Sequence, residues 1–186
     1  MLIGAAFLLC LMTVPLARGR LSAIAELSLR HAWLLPAAFA IQLTIVYVIP
    51  HWPHGVLNVA HMGTYAFAAA FVALNWRVPG LLVVALGGLS NFIAISANGG
   101  VMPASKSALA TAGLSDTPGQ FASSISVPDP NLLFLGDIFA VPASWPVQNV
   151  YSVGDVMIVF GAFVMLHAAS GSRLARLVRR PAAQAG

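Results

Sequence analysis

The stretch VYSVGDVMIVFGAFVMLHAA, residues 150–169, decides the fold, because it is apolar over the length of one membrane crossing. A transmembrane helix needs about 20 predominantly apolar residues, and fewer suffice where the flanking residues adjust. Four other segments meet this condition: 2–17, 32–50, 56–75 and 78–96. The sequence therefore predicts an all-α fold, a polytopic membrane protein with five transmembrane helices.

The composition excludes a water-soluble domain. The 186 residues are 59% hydrophobic and only 8% charged, with a mean hydropathy of +0.88, whereas about a quarter of the residues in a soluble domain are charged. The pI near 10.0 arises from few charges, so it indicates contact with anionic lipids of the bilayer and not a nucleic-acid partner. Cys10 is the single cysteine, which excludes an intramolecular disulfide and a cysteine-based zinc site. We expect no metal and no cofactor.

The basic residues orient the protein, since short loops rich in Lys and Arg stay in the cytoplasm. If the five segments each cross the membrane, Lys106 lies on one side of it and the other eight basic residues lie on the opposite side. These eight are Arg18, Arg20, Arg30, Arg77, Arg173, Arg176, Arg179 and Arg180. We therefore predict a plasma-membrane protein with its N-terminus outside and residues 170–186 as a basic cytoplasmic tail. A cleaved signal peptide is disfavoured, because the charge follows the first apolar segment instead of preceding it.

Residues 97–149 form the longest connection between two apolar segments, and the predicted orientation places them outside. A structureless loop of that length is uncommon. The segment is also too rich in large apolar side chains to remain solvated. These side chains are Val101, Met102, Phe121, Leu132, Leu133, Phe134, Leu135, Ile138, Phe139 and Trp145. We predict a folded external cap, in which the apolar piece 131–140 is too short to span and lies at the membrane interface or re-enters the membrane against protein.

A first polar cluster lies at the end of the fourth apolar segment. It begins with Asn91 and continues into Asn98, Gly99 and Gly100. One interpretation is a helix that ends in a turn, because Gly and Asn commonly terminate helices. The other is a ligand-binding site, since such a turn exposes backbone N–H groups that bind an anionic head group or substrate.

A second cluster lies at the start of the fifth apolar segment, where Ser152 is followed three residues later by Asp155. This spacing is typical of a helix N-terminus, at which both side chains satisfy free backbone N–H groups. The residues after Asp155 are continuously apolar, so its carboxylate lies at the membrane boundary. An ionisable group at that depth needs a partner and is a functional hypothesis. Ser152 therefore joins the predicted ligand-binding residues.

A second Gly-Asp pair ends in Asp137, within the predicted cap. If the cap folds onto the helices, Asp137 and Asp155 can face each other. Two carboxylates that share one proton form an acid/base dyad for hydrolysis through an activated water. The alternative is two separate aspartates that cap a helix and a turn. Asp155 and Asp137 are thus candidate catalytic residues only if the protein is an enzyme.

Several motifs occur along the chain in a fixed order. They are Asn98-Gly99-Gly100, Met102-Pro103, Leu135-Gly136-Asp137, and Tyr151-Ser152-Val153-Gly154-Asp155 with Gly161. This order resembles a bacterial family of five-helix membrane proteins that is known only as a domain of unknown function. The resemblance covers nearly the whole chain. It implies a shared fold in a bacterial plasma membrane but brings no activity.

A partial resemblance covers about 20 residues. The sequence from Gly87 to Ala94 is similar to the GGxxGNxxDR motif of the aspartyl lipoprotein signal peptidases (signal peptidase II), and 151–155 is similar to their FNxAD motif. This resemblance implies a catalytic role for Asp155. However, Ala94 stands where that family has its other catalytic aspartate, so a hydrolase of this kind would need Asp137 as a replacement.

The sequence favours a binding protein over an enzyme. We expect the external face to bind a lipid, a peptide or a partner membrane protein. The first alternative is an Asp-dependent membrane hydrolase distantly similar to signal peptidase II. The second alternative is a small transporter, which is disfavoured because the predicted helices carry no charge at their centres.

Overall fold

The computed structural model describes residues 2–49, 51–114 and 124–175, and within them the chain is mostly helical, with 63% helix and 6% strand. The α-helices are α1 (Leu2–Leu16), α2 (Leu21–Ala25), α3 (Leu34–Leu43), α4 (His54–Asn75), α5 (Leu81–Ala97), α6 (Lys106–Ala112) and α7 (Val153–Ser170). A π-helical turn, Thr44–Val48, continues α3. Each apolar segment predicted from the sequence overlaps one of the longer helices, and the segment 32–50 corresponds to α3 together with the π-helical turn. Residues 115–123 of the predicted cap and 176–186 of the predicted tail lie outside the described residues.

Glycines let α5 and α7 pack in direct backbone contact. A Cβ atom at Gly87 would collide with the carbonyl oxygen of Gly154, and a Cβ atom at Gly161 would lie 2.7 Å from the carbonyl oxygen of Gly80. Gly80 is also the N-cap of α5, and its φ of +86° is a conformation that favours glycine. The two helices run antiparallel, because the beginning of α5 meets the middle of α7 and the middle of α5 meets the beginning of α7.

Helices α3 and α4 pack beside α5, with α4 between α3 and α5 in the chain. Phe71 of α4 packs with Leu81 of α5 and Leu34 of α3 in one buried cluster. The α3–α4 pair is tied by polar groups as well, since Gln42 Nε2 donates to Thr64 Oγ1 at 2.7 Å. Consecutive helices α3, α4 and α5 therefore alternate in direction.

Helix α1 joins α7 through a buried histidine, His167, whose side chain is 1% exposed. The Thr13 hydroxyl donates to the Cys10 carbonyl at 2.6 Å, so its oxygen accepts from His167 Nε2 at 3.0 Å. The Ser172 hydroxyl, 2.8 Å from Nδ1, then donates to the other ring nitrogen. The junction lies near the C-terminal ends of both helices, and α1 runs parallel to α7.

The connection between α5 and α7 contains short strands, which the all-α prediction missed. Strands β1 (Met102–Pro103) and β2 (Ser124–Ile125) pair in parallel, and β3 (Phe139–Val141) pairs antiparallel with β4 (Asn149–Tyr151). Tertiary pairing decides their structure, since strands of two or three residues carry no periodicity in sequence. The described parts of this connection, 98–114 and 124–151, also have a small core: Ala104, Ala108, Leu109, Ala112 and Val150.

Two helices among the described residues are long and apolar enough to cross a membrane. They are Gly55–Asn75 within α4 and Val153–Ser170, which is α7. Helices α1, α3 and α5 are apolar but shorter. The predicted piece 131–140 is not a helix of membrane-spanning length, because it contains a 3₁₀ turn (Leu133–Leu135) and the start of β3.

Adjacent glycines test the α5–α7 contact. Gly87→Ala must push backbone atoms of α7 away and should lower the free energy of unfolding by about 1–3 kcal/mol. Gly88→Ala is the matched control, because its Cβ meets nothing within 4 Å, and it should be neutral or stabilise by up to about 1 kcal/mol through helix propensity. Thermal unfolding in one detergent measures both. Equal effects of the two substitutions would contradict the close helix contact.

Candidate functional site at the start of helix α7

Three side chains that the sequence singled out meet in one hydrogen-bond network. Asn91 Nδ2 donates to Asp155 Oδ1 at 2.8 Å, and the Ser152 hydroxyl donates to Asn91 Oδ1 at 2.9 Å. The backbone N–H of Ser152 donates to Asp155 Oδ2 at 3.0 Å. Residues from α5 and α7, 61 to 64 positions apart in sequence, thus form a single polar site.

The helix N-terminus positions two members of this network. Ser152 is the N-cap of α7, and its hydroxyl accepts from the Asp155 N–H at 3.0 Å. Together with the Ser152 N–H bond to Asp155, this forms a complete capping box, so the capping interpretation is confirmed. The cap fixes the carboxylate in one orientation, and the positive end of the helix dipole favours its negative charge.

Gly154 positions the third member. A Cβ at Gly154 would collide with Asn91 Oδ1, so only glycine admits the carboxamide at this place. Asn91 lies six residues before Ala97, so the network lies about 9 Å from that end of α5. Asp155 is half-buried there.

An apolar groove between α1 and α7 ends at Asp155. The α1–α7 groove has a volume of about 540 Å³, within the usual range for a small-molecule site. Its described lining residues are Leu2, Ile3, Ala6, Cys10, Val141, Tyr151, Asp155, Val156, Val159, Phe160 and Phe163. The two helices are joined by the Thr13–His167 hydrogen bond near their C-terminal ends, and the groove lies between their N-terminal halves.

Sequence reasoning did not identify this groove. A weak signal exists, because the α7 wall consists of apolar residues at helical spacing, from Val156 to Phe163. The same spacing occurs on every face of α1, whose residues are nearly all apolar. The sequence therefore could not show which face of α1 lies against which face of α7.

The predicted binding residues after α5 belong to a different cluster. Asn98 Nδ2 donates to the carbonyls of Ala94 at 2.7 Å and Asn131 at 2.8 Å. Gly99 and Gly100 have φ values of +69° and +93°, as expected for a helix-ending turn. The turn interpretation is confirmed, and Asn98 ties the end of α5 to the following connection. The predicted backbone nest for an anion stays a prediction.

Asp137 lies in the connection and is 4% exposed. Its N–H donates to the Pro103 carbonyl at 2.9 Å, and its carbonyl accepts from Ser105 N–H at 3.0 Å. The β3–β4 register pairs Phe139 with Tyr151. The pairing ends there, and the backbone of Asp137 pairs with Ala104. A shared proton between Asp137 and Asp155 stays a prediction.

Ala94, which the partial resemblance to signal peptidase II aligns with a catalytic aspartate of that family, is completely buried. It packs with Ile95 and Met102, and Tyr65 and Leu135 contact the same cluster. The side chain at this position is a methyl group in an apolar environment. Ala94 therefore supplies no acid or base.

A comparison with known protein families now places the chain. A family described as a family of unknown function, DUF5317, matches residues 26–167. The chain belongs to the DUF5317 family. No curated protein and no solved structure matches it.

The DUF5317 match includes the whole Asn91–Ser152–Asp155 network as well as Asn98 and Asp137. It also includes the α7 wall of the groove, whereas the α1 wall precedes the matched residues. In residues 2–49, 51–114 and 124–175, His, Cys, Asp and Glu side chains form no group of three suited to a metal ion.

A double-mutant cycle tests the network. Asn91→Ala and Ser152→Ala should each lower the free energy of unfolding by about 1–3 kcal/mol, because each leaves polar partners unsatisfied. The double variant should lose less free energy of unfolding than the two single variants lose together. The difference, which is the coupling energy, should be about 0.5–3 kcal/mol. Chemical unfolding in detergent gives the three values.

The control cycle combines Asn91→Ala with Ser105→Ala. The Ser105 hydroxyl caps α6 by accepting from the Ala108 N–H at 3.1 Å. These two substitutions should add to within about 0.5 kcal/mol. The network is refuted if the Asn91–Ser152 cycle is also additive.

Proposed function

We propose that this DUF5317 protein is a multipass membrane protein that binds a lipid in the α1–α7 groove, with Asp155 at the polar end. The proposal of lipid binding rests on the shape and chemistry of the groove. Its walls are apolar along both helices, and one fixed carboxylate lies at its end. This arrangement suits an amphipathic molecule, with the tail between the helices and the head group at Asp155.

The exposed surface of the helices supports a membrane location. Only 18% of the most apolar part of α4 is buried, although the core helix of a soluble protein is mostly buried. The side chains of Leu8, Leu9, Met12 and Leu16 on α1 are 60–83% exposed. Large contiguous apolar surfaces of this kind mark contact with a membrane or a partner protein.

The tryptophans support the same placement. All four are 54–64% exposed, and three lie beside the ends of the long apolar helices while one lies in the connection between α5 and α7. They are Trp33, Trp52, Trp76 and Trp145. Tryptophan is enriched at both membrane–water interfaces, because its ring is amphipathic. Two belts of tryptophan fit a bilayer across α3 and α4.

The helix directions support five crossings with the N-terminus outside. Helices α1 and α7 are parallel, α5 is antiparallel to α7, and α3, α4 and α5 alternate. Five successive crossings by α1, α3, α4, α5 and α7 require this same alternation. The connection 98–149 then lies outside and residues from 170 onward lie in the cytoplasm, in agreement with the distribution of arginines.

Lipid binding explains the observed features of the groove and the network better than a hydrolase or a transporter does. A hydrolase of the signal peptidase II kind needs a second carboxylate, whereas Ala94 provides a buried methyl group at the position that the resemblance assigns to it. A transporter needs charged or broken helices near the membrane centre, whereas Asp155 lies in the first turn of α7. A peptide or a partner helix in the groove remains an outcome of the experiment below.

Reporter fusions test the topology. A reporter that is active only in the cytoplasm should be silent at the N-terminus and active at the C-terminus, because eight basic residues hold one side of the protein inside. A reporter that is active only outside should give the opposite pattern. Cytoplasmic activity at the N-terminal fusion would overturn the predicted orientation.

The single cysteine tests groove occupancy. Cys10 lines the groove, so a bound lipid should slow its alkylation by N-ethylmaleimide by about tenfold, which corresponds to moderate occupancy at excess lipid. Intact-mass spectrometry of detergent-solubilised protein, with and without added phospholipid, gives the rate. A filled groove, as in Ala6→Trp, should slow alkylation without lipid and remove the effect of lipid.

The matched control moves the thiol to a helix face that contacts bulk detergent. Leu89 on α5 is 51% exposed, so Leu89→Cys in a Cys10→Ala background should react at one rate with or without lipid. Lipid-independent alkylation of Cys10 would overturn the proposed function. Protection by an apolar peptide but not by lipid would assign the groove to a peptide instead.

A further inference from the structure

We infer that the groove selects a lipid with an ammonium head group, such as phosphatidylethanolamine, over an anionic lipid. This inference rests on the proposed function, since it names the class of lipid that the α1–α7 groove would hold. It is carried by the charge at the end of the groove and by the hydrogen bonds that hold this charge in place.

Asp155 lines the groove and has acceptor capacity beyond the hydrogen bonds that hold it. Its Oδ1 accepts one hydrogen bond, from Asn91, and its Oδ2 accepts one, from the Ser152 N–H. A carboxylate offers about four lone-pair positions, so about two remain for a ligand. The two bonds also fix the plane of the carboxylate, so a donor entering the groove meets it without reorganisation.

The groove supplies no positive charge of its own. Its described lining residues include no Lys, Arg or His, and Tyr151 is the one other residue with a polar side-chain group. A carboxylate beside hydrocarbon is costly unless a partner compensates it. A cationic ligand provides this compensation, whereas an anionic head group would add repulsion at the same place.

The chemistry of the head group narrows the ligand further. A primary ammonium group carries three N–H donors and a full positive charge, as a lysine side chain does. Hydrogen bonds to charged groups are the strong ones, so such a donor gains most from the free Asp155 lone pairs. A quaternary choline group has the charge but no donor, and a glycerol head group has donors but no positive charge.

The dimensions fit one acyl chain below this head group. From Asp155 to Phe163 the groove follows eight residues of α7, or about 12 Å. Phe160 and Phe163 lie along its length, and Cys10 lies on the opposite wall. The groove therefore encloses the upper part of a chain, and the rest of the lipid extends into the bilayer.

The test compares three lipids with identical acyl chains by protection of Cys10 from N-ethylmaleimide. The concentration that gives half of the maximal protection of Cys10 should be about tenfold lower for phosphatidylethanolamine than for phosphatidylglycerol. This ratio is expected for one charge-assisted hydrogen bond. Phosphatidylcholine should fall between them. Asp155→Asn removes the charge, so it should reduce the preference to within about twofold while both lipids still protect Cys10.

A second measurement leaves the protein unchanged. N-acetylation of phosphatidylethanolamine removes the ammonium charge, so this lipid should lose the preference on the native protein. Equal protection by phosphatidylethanolamine and phosphatidylglycerol would overturn the inference but leave lipid binding intact. A preference that survives in Asp155→Asn, or with the acetylated lipid, would also overturn it. Protection by none of the lipids would overturn the proposed function itself.

Discussion

The backbone contact between α5 and α7 is the constraint on which the rest of the structure depends. Gly87 and Gly154 bring the two helices together without intervening side chains, and Gly80 and Gly161 repeat the contact seven residues along each helix. Close packing of this kind lets two apolar helices associate through van der Waals contact between their backbones. It also fixes the position of α7 relative to α5 along the helix axis. This relative position places Asn91 beside the N-terminus of α7.

Asp155 has a structural role and an available chemical role at once. Its carboxylate completes the capping box with Ser152 and binds Asn91, which uses one position on each oxygen. Asp155 also lines the apolar groove between α1 and α7. A simple helix cap needs only a solvated turn, whereas this cap lies about 9 Å within the length of α5. That depth makes the carboxylate a candidate for ligand binding.

The groove lies beside a polar junction between α1 and α7. The Thr13–His167 hydrogen bond and the buried Val14 hold the C-terminal halves together. Toward the N-termini, Ala6 leaves space where a larger residue would fill it. The groove thus has an apolar wall from each helix, and Val141 of β3 and Tyr151 of β4 line it as well.

The sequence by itself determined the positions of the long helices, the membership of the unknown-function family and the capping box, because apolar runs and the Ser152-to-Asp155 spacing are local. It did not determine the short strands between α5 and α7, which have no periodicity. Only the tertiary structure decided that Asn91 meets Asp155, that Asn98 turns toward Asn131 instead, and that α1 supplies a wall to the groove. The physical reason is that an apolar helix offers many equivalent faces, and the packing of glycines on the neighbouring helix selects one of them.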